Sequence, residues 1–446
     1  MGITIVQKSD LGRPRRNPKI ALVMSAGAIS GGAFKLGGMV ALNRFLTNRK
    51  VTDFDMYVGL SAGAFIGAFL ANGISPEEAL RGLDGTSKVL RQFKFYDFYW
   101  PAFREYARRS GMLLRDAAVV WPSIAAGFAR HLSGSREQVG RNVRGFLRSP
   151  SYTTLERVIG PLVSEVMRKT PFPNAGQYVP SGLFDTSRLE QYVRLNLADN
   201  GLPNDFRALK RQTGRALYIT ASNLNTGRGV TFGHDADHTV SISQAVQASV
   251  AIPGFYVPPA IGGEEYLDAS VRKTANVSLA VHKGADLIII YNPFRPYMNR
   301  SRYQLGPNAS SLAKQGLGTV LNQSARMMLQ SRLYLGVERL RLDPAFRGDL
   351  ILIEPTETDA EFFTLNPLAF WNRGEAARHG FESVCRALEQ NFSELQRILA
   401  AYNLECDLAG LAGELELGAE PTPAPEPDVE PPEAVEVAAP RLRVVK

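Results

Sequence analysis

A serine placed between two glycines is the residue of this chain best positioned for nucleophilic chemistry. The segment Gly59-Leu60-Ser61-Ala62-Gly63 follows a short apolar run at 56–58 and precedes a helix-like run at 64–71. A Gly-x-Ser-x-Gly motif between a strand and a helix is typical of a nucleophile elbow, a sharp turn that needs small residues at Gly59 and Gly63. The helix N-terminus would point its N–H groups at Ser61 and at an oxyanion forming beside it. A purely structural Gly-rich turn is the alternative interpretation.

A Gly-rich loop lies upstream of this serine. The apolar run 19–24 predicts a buried strand, the loop 25–32 follows it, and a helix pattern begins at Ala33. A dinucleotide fingerprint fits poorly because Ile29 stands where its second glycine belongs. A Walker A loop fits poorly because it ends in Gly-Lys-Ser/Thr, whereas Lys35 directly follows Phe34. An oxyanion hole fits better, since the loops of a βαβ unit meet at one sheet edge. The candidate N–H donors are those of Gly27, Ala28, Gly31 and Gly32.

Charge is distributed unevenly along the chain. The net charge is +8, but eight acids and three bases from Glu414 onward give the end of the chain −5, so the preceding residues carry +13. A charge of +13 on residues 1–413 favours anionic partners such as a membrane surface or a nucleic acid. No recognisable nucleic-acid-binding module is present, so we expect no nucleic acid partner.

The region 84–180 combines aromatic and basic residues. Between 84 and 150 it has twelve basic and five acidic residues, and its front is rich in phenylalanine, tyrosine and tryptophan. Basic and large apolar residues on helical segments are typical of a surface that lies on a membrane. The alternative is a helical cap whose aromatic residues form a core and whose arginines are only solvated.

Cysteine use and apolar runs indicate the compartment. The two cysteines, Cys385 and Cys406, provide neither a disulfide framework nor a zinc site, and buried reduced thiols suit a reducing compartment. The first residues lack the layout of a signal peptide, and no apolar run approaches the roughly 18–20 residues of a membrane-spanning helix. We therefore expect a cytoplasmic protein that meets lipid, if at all, as a peripheral membrane protein.

Further motifs follow in a fixed order after the serine. They lie at 219–227, 245–255, 265–270 and 284–290. Together with the Gly-rich loop and Gly-Leu-Ser-Ala-Gly, they resemble the patatin-like phospholipase family over roughly 19–295, and more loosely over 349–355. The resemblance implies an α/β protein with a three-layer α/β/α fold, a mostly parallel central sheet, an inserted helical cap and a disordered C-terminal tail.

The expected organisation of the chain follows from this resemblance and from composition. We expect a mobile basic arm at 1–18, a hydrolase domain at 19–355 and, within it, the helical insertion at 84–180. A helical extension at 356–406 and a disordered tail at 407–446, rich in proline, alanine and glutamate, complete the chain.

The serine hydroxyl is too weakly acidic to attack an ester unaided and needs a positioned base. In the order of an α/β-hydrolase, His282 or His379 could serve. The patatin resemblance instead implies a Ser–Asp dyad in which Asp268 takes the proton from Ser61. It also implies a lipid acyl hydrolase of the phospholipase A or lysophospholipase type, with a lipid ester as substrate and no need of a metal or cofactor. The basic, aromatic insertion predicts peripheral contact with an anionic membrane and makes phospholipid the first substrate to consider, and neutral glycerides, lysophospholipids and storage polyesters are the alternatives.

Two departures from the family pattern favour a second function class. The family's loop usually reads Gly-Gly-Gly-x-Arg/Lys-Gly, whereas this loop is longer and has Ala26, Ala28 and Ser30. Its aspartate motif reads Asp-Ala-Ser, with Ala269 in place of glycine. A catalytically weak or silent patatin fold that acts as a membrane or protein adaptor is therefore the alternative to a lipid hydrolase.

Overall fold

The computed structural model describes residues 2–134, 136–151, 154, 175–300 and 311–415. Its strands are β1 (Ile3–Val6), β2 (Ile20–Met24), β3 (Met56–Leu60), β4 (Gly182–Phe184), β5 (Ala216–Asn223), β6 (Gly229–Gly233), β7 (Gly254–Tyr256), β8 (Ala260–Ile261), β9 (Glu264–Asp268), β10 (Leu287–Tyr291) and β11 (Asp349–Ile353). Its helices are α1 (Ala28–Phe45), α2 (Ala62–Ala71), α3 (Pro76–Asp84), α4 (Phe95–Phe98), α5 (Phe103–Gly134), α6 (Arg136–Arg148), α7 (Ser187–Asp199), α8 (Phe206–Thr213), α9 (Ile242–Ser249), α10 (Val277–His282), α11 (Leu317–Leu342), α12 (Ala360–Thr364), α13 (Arg373–Gln390) and α14 (Phe392–Ala401).

A nine-stranded sheet forms the centre of the fold. Its order is β1-β11-β10-β2-β3-β5-β9-β8, with β6 also pairing with β5. Strands β11, β10, β2, β3 and β5 run parallel, whereas β1, β6 and β9 pair antiparallel with their neighbours. A parallel strand covered by helices on both faces needs apolar residues at every position, and Leu287–Tyr291 of β10 is such a run.

Alternating residues of the central strands divide the core into two layers. Leu22 and Ile289 pack with α1, α2 and α13 on one face of the sheet. Val23 and Ile288 pack on the other face, with α10 and α11. This arrangement confirms the three-layer α/β/α fold with a mostly parallel sheet. In the described part of the chain, no helix is long and apolar enough to span a membrane.

The N-terminal segment differs from the sequence-based expectation. Residues 3–6, predicted to belong to a mobile arm, form β1 at the sheet edge, where Ile3 pairs with Ile353 and Val6 with Leu350. Their apolar side chains explain this, since Ile3 and Val6 are buried against the core. The expectation of a mobile arm is wrong for these residues.

The C-terminal part of the chain joins the same core. The predicted extension at 356–406 contains α12, α13 and α14, and the beginning of the predicted disordered tail packs back onto the domain through Leu411 and Leu415. The rest of that tail, 416–446, lies outside the described residues. Helices α4, α5 and α6 occupy much of the predicted insertion, of which residues 152–153 and 155–174 also lie outside the described part.

Helices α1 and α13 approach so closely that glycine is required on both. A Cβ atom at Gly37 would lie 1.9 Å from the carbonyl oxygen of Ala377, and one at Gly380 would lie 2.1 Å from that of Phe34. The two backbones are therefore in direct contact, and α1 is fixed against the C-terminal part of the chain.

We expect Gly37→Ala to lower the free energy of unfolding by about 1–3 kcal/mol, because the added methyl group must push α1 away from α13. The matched control is Gly336→Ala in α11, where no heavy atom lies within 4 Å of the added methyl group. That change should raise stability by up to about 1 kcal/mol through helix propensity. Urea denaturation of both variants measures the difference, and equal stabilities would contradict the close α1–α13 contact.

Candidate active site

Ser61 lies in a strained turn between β3 and α2. Its backbone has φ 53° and ψ −125°, a conformation that residues with a side chain rarely adopt, and its N-cap position places it at the start of α2. The side chain is almost fully buried, at 2% exposure. The chain therefore turns sharply at the serine, as the sequence predicts for a nucleophile elbow.

The two glycines of the motif allow this turn. A Cβ at Gly59 would lie 2.5 Å from the carbonyl oxygen of Gly63, and one at Gly63 would lie 2.3 Å from that of Met24. The second contact also brings the end of β2 against the start of α2. Both glycines are thus required by close backbone approach, and the Ser61 and Gly-rich loops lie side by side.

Ser249, at the end of α9, fixes the backbone of the turn. Its hydroxyl oxygen accepts a hydrogen bond from the N–H of Ser61 at 2.8 Å and donates one to the carbonyl oxygen of Thr220 at 2.7 Å. Because Thr220 belongs to β5, this hydroxyl connects the serine turn to the neighbouring strand. Ser249 lies in the 245–255 motif, but the family resemblance assigns it no role, so the sequence analysis does not predict this contact.

Asp268 ends β9 and faces the serine. The N–H of Ser270 donates a hydrogen bond, at 2.7 Å, to Oδ1 of Asp268. The residue is 1% exposed. Burial raises the pKa of Asp268 above its ordinary value of 3.8, while the hydroxyl of Ser61, the bond from Ser270 and the charge of Lys35 act to lower it. The structure therefore brings together the two residues that the sequence pairs.

The Gly-rich loop leaves β2 and enters α1 next to this pair. Ala28 has φ 49°, in the left-handed region that favours glycine, and it begins α1. A Cβ at Gly27 would lie 2.8 Å from the carbonyl carbon of Gly31, so glycine is required there by space. Helix α1 starts at Ala28 rather than at Ala33, which places Gly31 and Gly32 inside its first turns.

Several N–H groups at this helix terminus already have acceptors. The N–H of Gly31 donates to the carbonyl oxygen of Gly27 at 2.9 Å. The N–H groups of Ile29 and Ser30 donate to the carbonyl oxygen of Pro367 at 3.0 and 3.2 Å. A segment of the C-terminal extension thus caps α1, and among the described residues the N–H groups of Gly27 and Ala28 have no acceptor.

An apolar pocket of about 70 Å³ opens beside Ser61. Its wall includes Ala28, Gly32 and Ala62 from the two turns. The remaining lining is almost entirely apolar or aromatic and comes from α1, α2, α3, α7, the segment 250–256, the insertion and the C-terminal extension: Ile29, Ala33, Leu36, Phe65, Ile66, Leu83, Phe93, Phe98, Leu189, Val250, Ile252, Tyr256, Phe370 and Arg373. A pocket with this lining suits a hydrocarbon chain.

Lys35 is a charged residue of this region that the sequence analysis used only to reject a Walker A loop. It is fully buried in α1, and its ammonium group donates a hydrogen bond to the carbonyl oxygen of Ser25. Burial lowers the pKa of Lys35 to about 7, and the charge of Asp268 acts in the opposite direction. The sequence feature that could have indicated Lys35 is a lysine within an otherwise apolar helix pattern.

The two histidines considered as alternative bases are bonded elsewhere. Nδ1 of His282 lies 2.5 Å from the carbonyl oxygen of Ser278, and Nε2 of His379 lies 2.7 Å from a carboxylate oxygen of Asp359. Both imidazoles therefore have other partners, and neither lines the pocket beside Ser61. In the part of the chain that the structure describes, no group of three histidine, cysteine, aspartate or glutamate residues could hold a metal ion.

A sequence profile described as Patatin-like phospholipase matches residues 22–281, more than half of the chain and the part that contains Ser61 and Asp268. The chain belongs to the patatin-like phospholipase family. Membership confirms the resemblance seen in the motifs and supports a lipid hydrolase function.

The solved structures that match this chain have low sequence identity and low structural similarity to it. VipD from Legionella pneumophila is 16% identical, with 87% of this chain and 70% of that chain covered and a TM-score of 0.35. ExoU from Pseudomonas aeruginosa, in complex with SpcU, is 19% identical, with 94% and 68% covered and a TM-score of 0.29. Human GIVD cytosolic phospholipase A2 is 10% identical, with 90% and 61% covered and a TM-score of 0.30. The family assignment therefore rests on the sequence profile.

We expect Ser249→Ala to lower the free energy of unfolding by about 1–3 kcal/mol, because it leaves the buried N–H of Ser61 without an acceptor. The same change should slow the labelling of Ser61 by a fluorophosphonate probe, since the turn loses its anchor to β5. Ser331→Ala is the matched control, because that exposed hydroxyl donates only to the carbonyl oxygen of Met328 within α11. Equal labelling rates for the two variants would show that Ser249 does not hold the turn.

Proposed function

We propose that this protein is a serine lipid acyl hydrolase that cleaves fatty acyl esters through Ser61 and Asp268. The observation that carries the proposal is the strained Ser61 turn, which lines an apolar pocket and acts on the pKa of the buried carboxyl group of Asp268. A serine at a strained turn, a carboxylate beside it and a hydrocarbon-lined cavity are the parts that ester cleavage requires.

The proposed reaction has two steps. Oγ of Ser61 attacks the acyl carbonyl carbon while its proton passes to the carboxylate of Asp268. The tetrahedral intermediate then releases the alcohol, which takes that proton, and leaves an acyl ester on Ser61. Water attacks this ester with Asp268 again accepting the proton, which passes to Oγ of Ser61 as the acyl–oxygen bond breaks and the fatty acid is released.

The oxyanion of each intermediate needs fixed N–H donors. Of the four glycine and alanine positions predicted for this role, Gly31 has its N–H bonded to Gly27 and Gly32 lies within α1. We therefore assign the role to the N–H groups of Gly27 and Ala28, with that of Ala62 as a third donor at the N-terminus of α2. Removal of one such donor costs about 10²–10³-fold in kcat in a known serine hydrolase.

The surface around the pocket suits contact with a membrane. Phe98 and Phe370 line the pocket, and large apolar side chains near them in sequence point outward: Phe95 and Phe103 are 61% exposed and Trp371 is 70% exposed. Together with the basic residues of the insertion, these three side chains, here called the aromatic rim, would place the pocket mouth against an anionic lipid surface.

The rival function is a catalytically weak or silent adaptor. The observation that favours it is the carbonyl oxygen of Pro367, which accepts hydrogen bonds from the N–H groups of Ile29 and Ser30 at the proposed oxyanion site. The small volume of the pocket acts in the same direction. Vesicle binding without hydrolysis would favour the adaptor.

We expect Ser61→Ala and Asp268→Asn each to abolish fatty-acid release above background, from anionic vesicles and from a soluble p-nitrophenyl ester. The first change removes the nucleophile, and the second removes the base while keeping its shape. Circular dichroism checks the fold of both variants, and His379→Gln is the control for a histidine mechanism. Activity that survives Asp268→Asn but not His379→Gln would overturn the dyad.

We expect the double change Phe103→Ser and Trp371→Ser to reduce hydrolysis of anionic vesicles by about tenfold or more, because the protein loses buried apolar area at the lipid surface. Hydrolysis of the soluble ester should stay near the wild-type rate. Leu342→Ser, which alters a side chain 79% exposed at the far end of α11, is the matched control. An equal loss on both substrates would contradict a membrane role for the aromatic rim.

A further inference from the structure

Lys35 is a buried cation with few partners. Its side chain is fully buried, and the only hydrogen bond of its ammonium group to another described residue goes to the carbonyl oxygen of Ser25. An ammonium group in a protein interior costs free energy that a single neutral acceptor does not offset. Leucine or methionine at this position would give α1 an apolar face at lower cost. The lysine therefore calls for a reason other than packing.

Ser25 joins the end of a central strand to the Gly-rich loop. It directly follows β2, in which Met24 pairs with Gly59 of β3, and it begins the loop that leads to Gly27 and Ala28. Its N–H donates to the carbonyl oxygen of Tyr291 at 3.1 Å. The buried ammonium group of Lys35 thus binds the carbonyl oxygen of Ser25, the first residue of the proposed oxyanion loop.

A second side chain secures the same residue. The hydroxyl of Ser25 lies 3.1 Å from Oδ1 of Asn292, whose amide donates to Oε1 of Glu354 at 2.7 Å. Glu354 also accepts a hydrogen bond from Tyr334 at 2.9 Å. Burial raises the pKa of Glu354 above its ordinary value, and its bonds to Asn292 and Tyr334 act to lower that pKa. Ser25 is therefore held from both its backbone and its side chain.

The titratable groups around Lys35 come from several elements. Asp268 ends β9, Tyr291 ends β10, and Glu354 follows β11 and reaches Ser25 through Asn292. His379 of α13 packs against Phe34, the residue before Lys35, and is paired with Asp359. Of these groups, Asp268 is the one whose charge acts on the ammonium group, and the effect is mutual.

We propose that Lys35 is a positioning residue of the reaction, which holds one positive charge at the start of the oxyanion loop, bonded to Ser25, where that charge also acts on the base Asp268. The inference rests on the proposed function of Ser61 and Asp268. It adds a third ionisable group, buried behind the loop, that contacts no substrate atom and acts through the two groups that do.

The movement of charge during the reaction gives this cation its role. Before attack, the negative charge lies on the carboxylate of Asp268. After the proton leaves Ser61, Asp268 is neutral and the negative charge lies on the oxyanion beside Gly27 and Ala28. A fixed cation near both positions stabilises the charge throughout, and it needs no reorganisation while the reaction proceeds. The net charge of the buried site stays constant.

The required state has an ionised Asp268 and a protonated Lys35, which sets a pH window. Burial raises the pKa of Asp268, so the base is lost as the pH falls through that raised value. Burial lowers the pKa of Lys35 to about 7, so the cation is lost as the pH rises through that value. We expect a bell-shaped dependence of kcat/KM on pH, with the alkaline limb due to Lys35.

The experiment compares wild type, Lys35→Met, Lys35→Arg and Ser61→Ala on the soluble ester across the pH range. Methionine keeps the length and apolar body of lysine but carries no charge, and arginine keeps the charge at every pH used. We expect Lys35→Met to lose about 10–100-fold in kcat/KM near the wild-type optimum, in line with the loss of one preorganised electrostatic group, and to lose the alkaline limb. Lys35→Arg should restore part of the activity and move that limb to higher pH.

Stability separates this role from a structural one. The folded protein holds the Lys35 proton less tightly than the unfolded chain, in which the pKa is near 10.5, so wild type should gain stability as the pH rises from about 7 to 10.5. Lys35→Met should lack this gain and should be at least as stable as wild type at pH 6. A loss of stability parallel to the loss of activity would overturn the proposal. Lys88→Met, at an exposed position, is the control and should match wild type in both measurements.

The four proteins distinguish a wrong role for Lys35 from a wrong hydrolase function. If wild type hydrolyses the ester and Ser61→Ala does not, while Lys35→Met keeps wild-type kcat/KM and the alkaline limb, the role of Lys35 is wrong and the hydrolase stands. If wild type neither hydrolyses an ester nor reacts with a fluorophosphonate at Ser61, the proposed function is overturned and the role of Lys35 with it.

Discussion

The close approach of β2 to the start of α2 is the constraint on which the rest of the site depends. Gly63 lies so near the carbonyl oxygen of Met24 that a methyl group would overlap it, and Ser61 is held at positive φ two residues earlier. Such strain persists only where the surrounding structure fixes it. Here the pairing of β2 with β3 and the hydroxyl of Ser249 supply that support. The Gly-rich loop, which continues from Met24, is thereby placed beside the serine.

The interior around this turn contains more ionisable groups than its packing requires. Asp268 and Lys35 are both buried, and burial moves the pKa of each toward the neutral form: upward for the carboxyl group and downward for the ammonium group. Each charge offsets part of that effect on the other. A pair of groups whose ionised forms depend on one another is a common feature of sites that move protons, and it explains why neither residue can be assessed alone.

The C-terminal extension is part of the same unit. The family profile ends at 281, yet Pro367 caps α1, Phe370 lines the pocket and Gly380 lies against the backbone of Phe34. The proposed oxyanion loop therefore depends on residues far beyond the family match. A change in the packing of α13 would reach the loop through α1, because the two helices are in backbone contact.

The serine turn and the fold class were predictable from the sequence, whereas Asp268 came from the family resemblance and stays a prediction as the base. The first two depend on local rules: a Gly-x-Ser-x-Gly motif has few backbone solutions, and apolar runs between glycines form buried strands. The tertiary structure was needed to show that residues 3–6 form an edge strand, that Ser249 bonds the serine turn, which loop N–H groups have acceptors, and that Lys35 is buried where its charge acts on Asp268. Each of these joins residues that are distant in the chain and has no periodicity of its own. The sequence does not show whether a given serine or lysine lies at the surface or in the interior, because that depends on how the helices pack on the sheet.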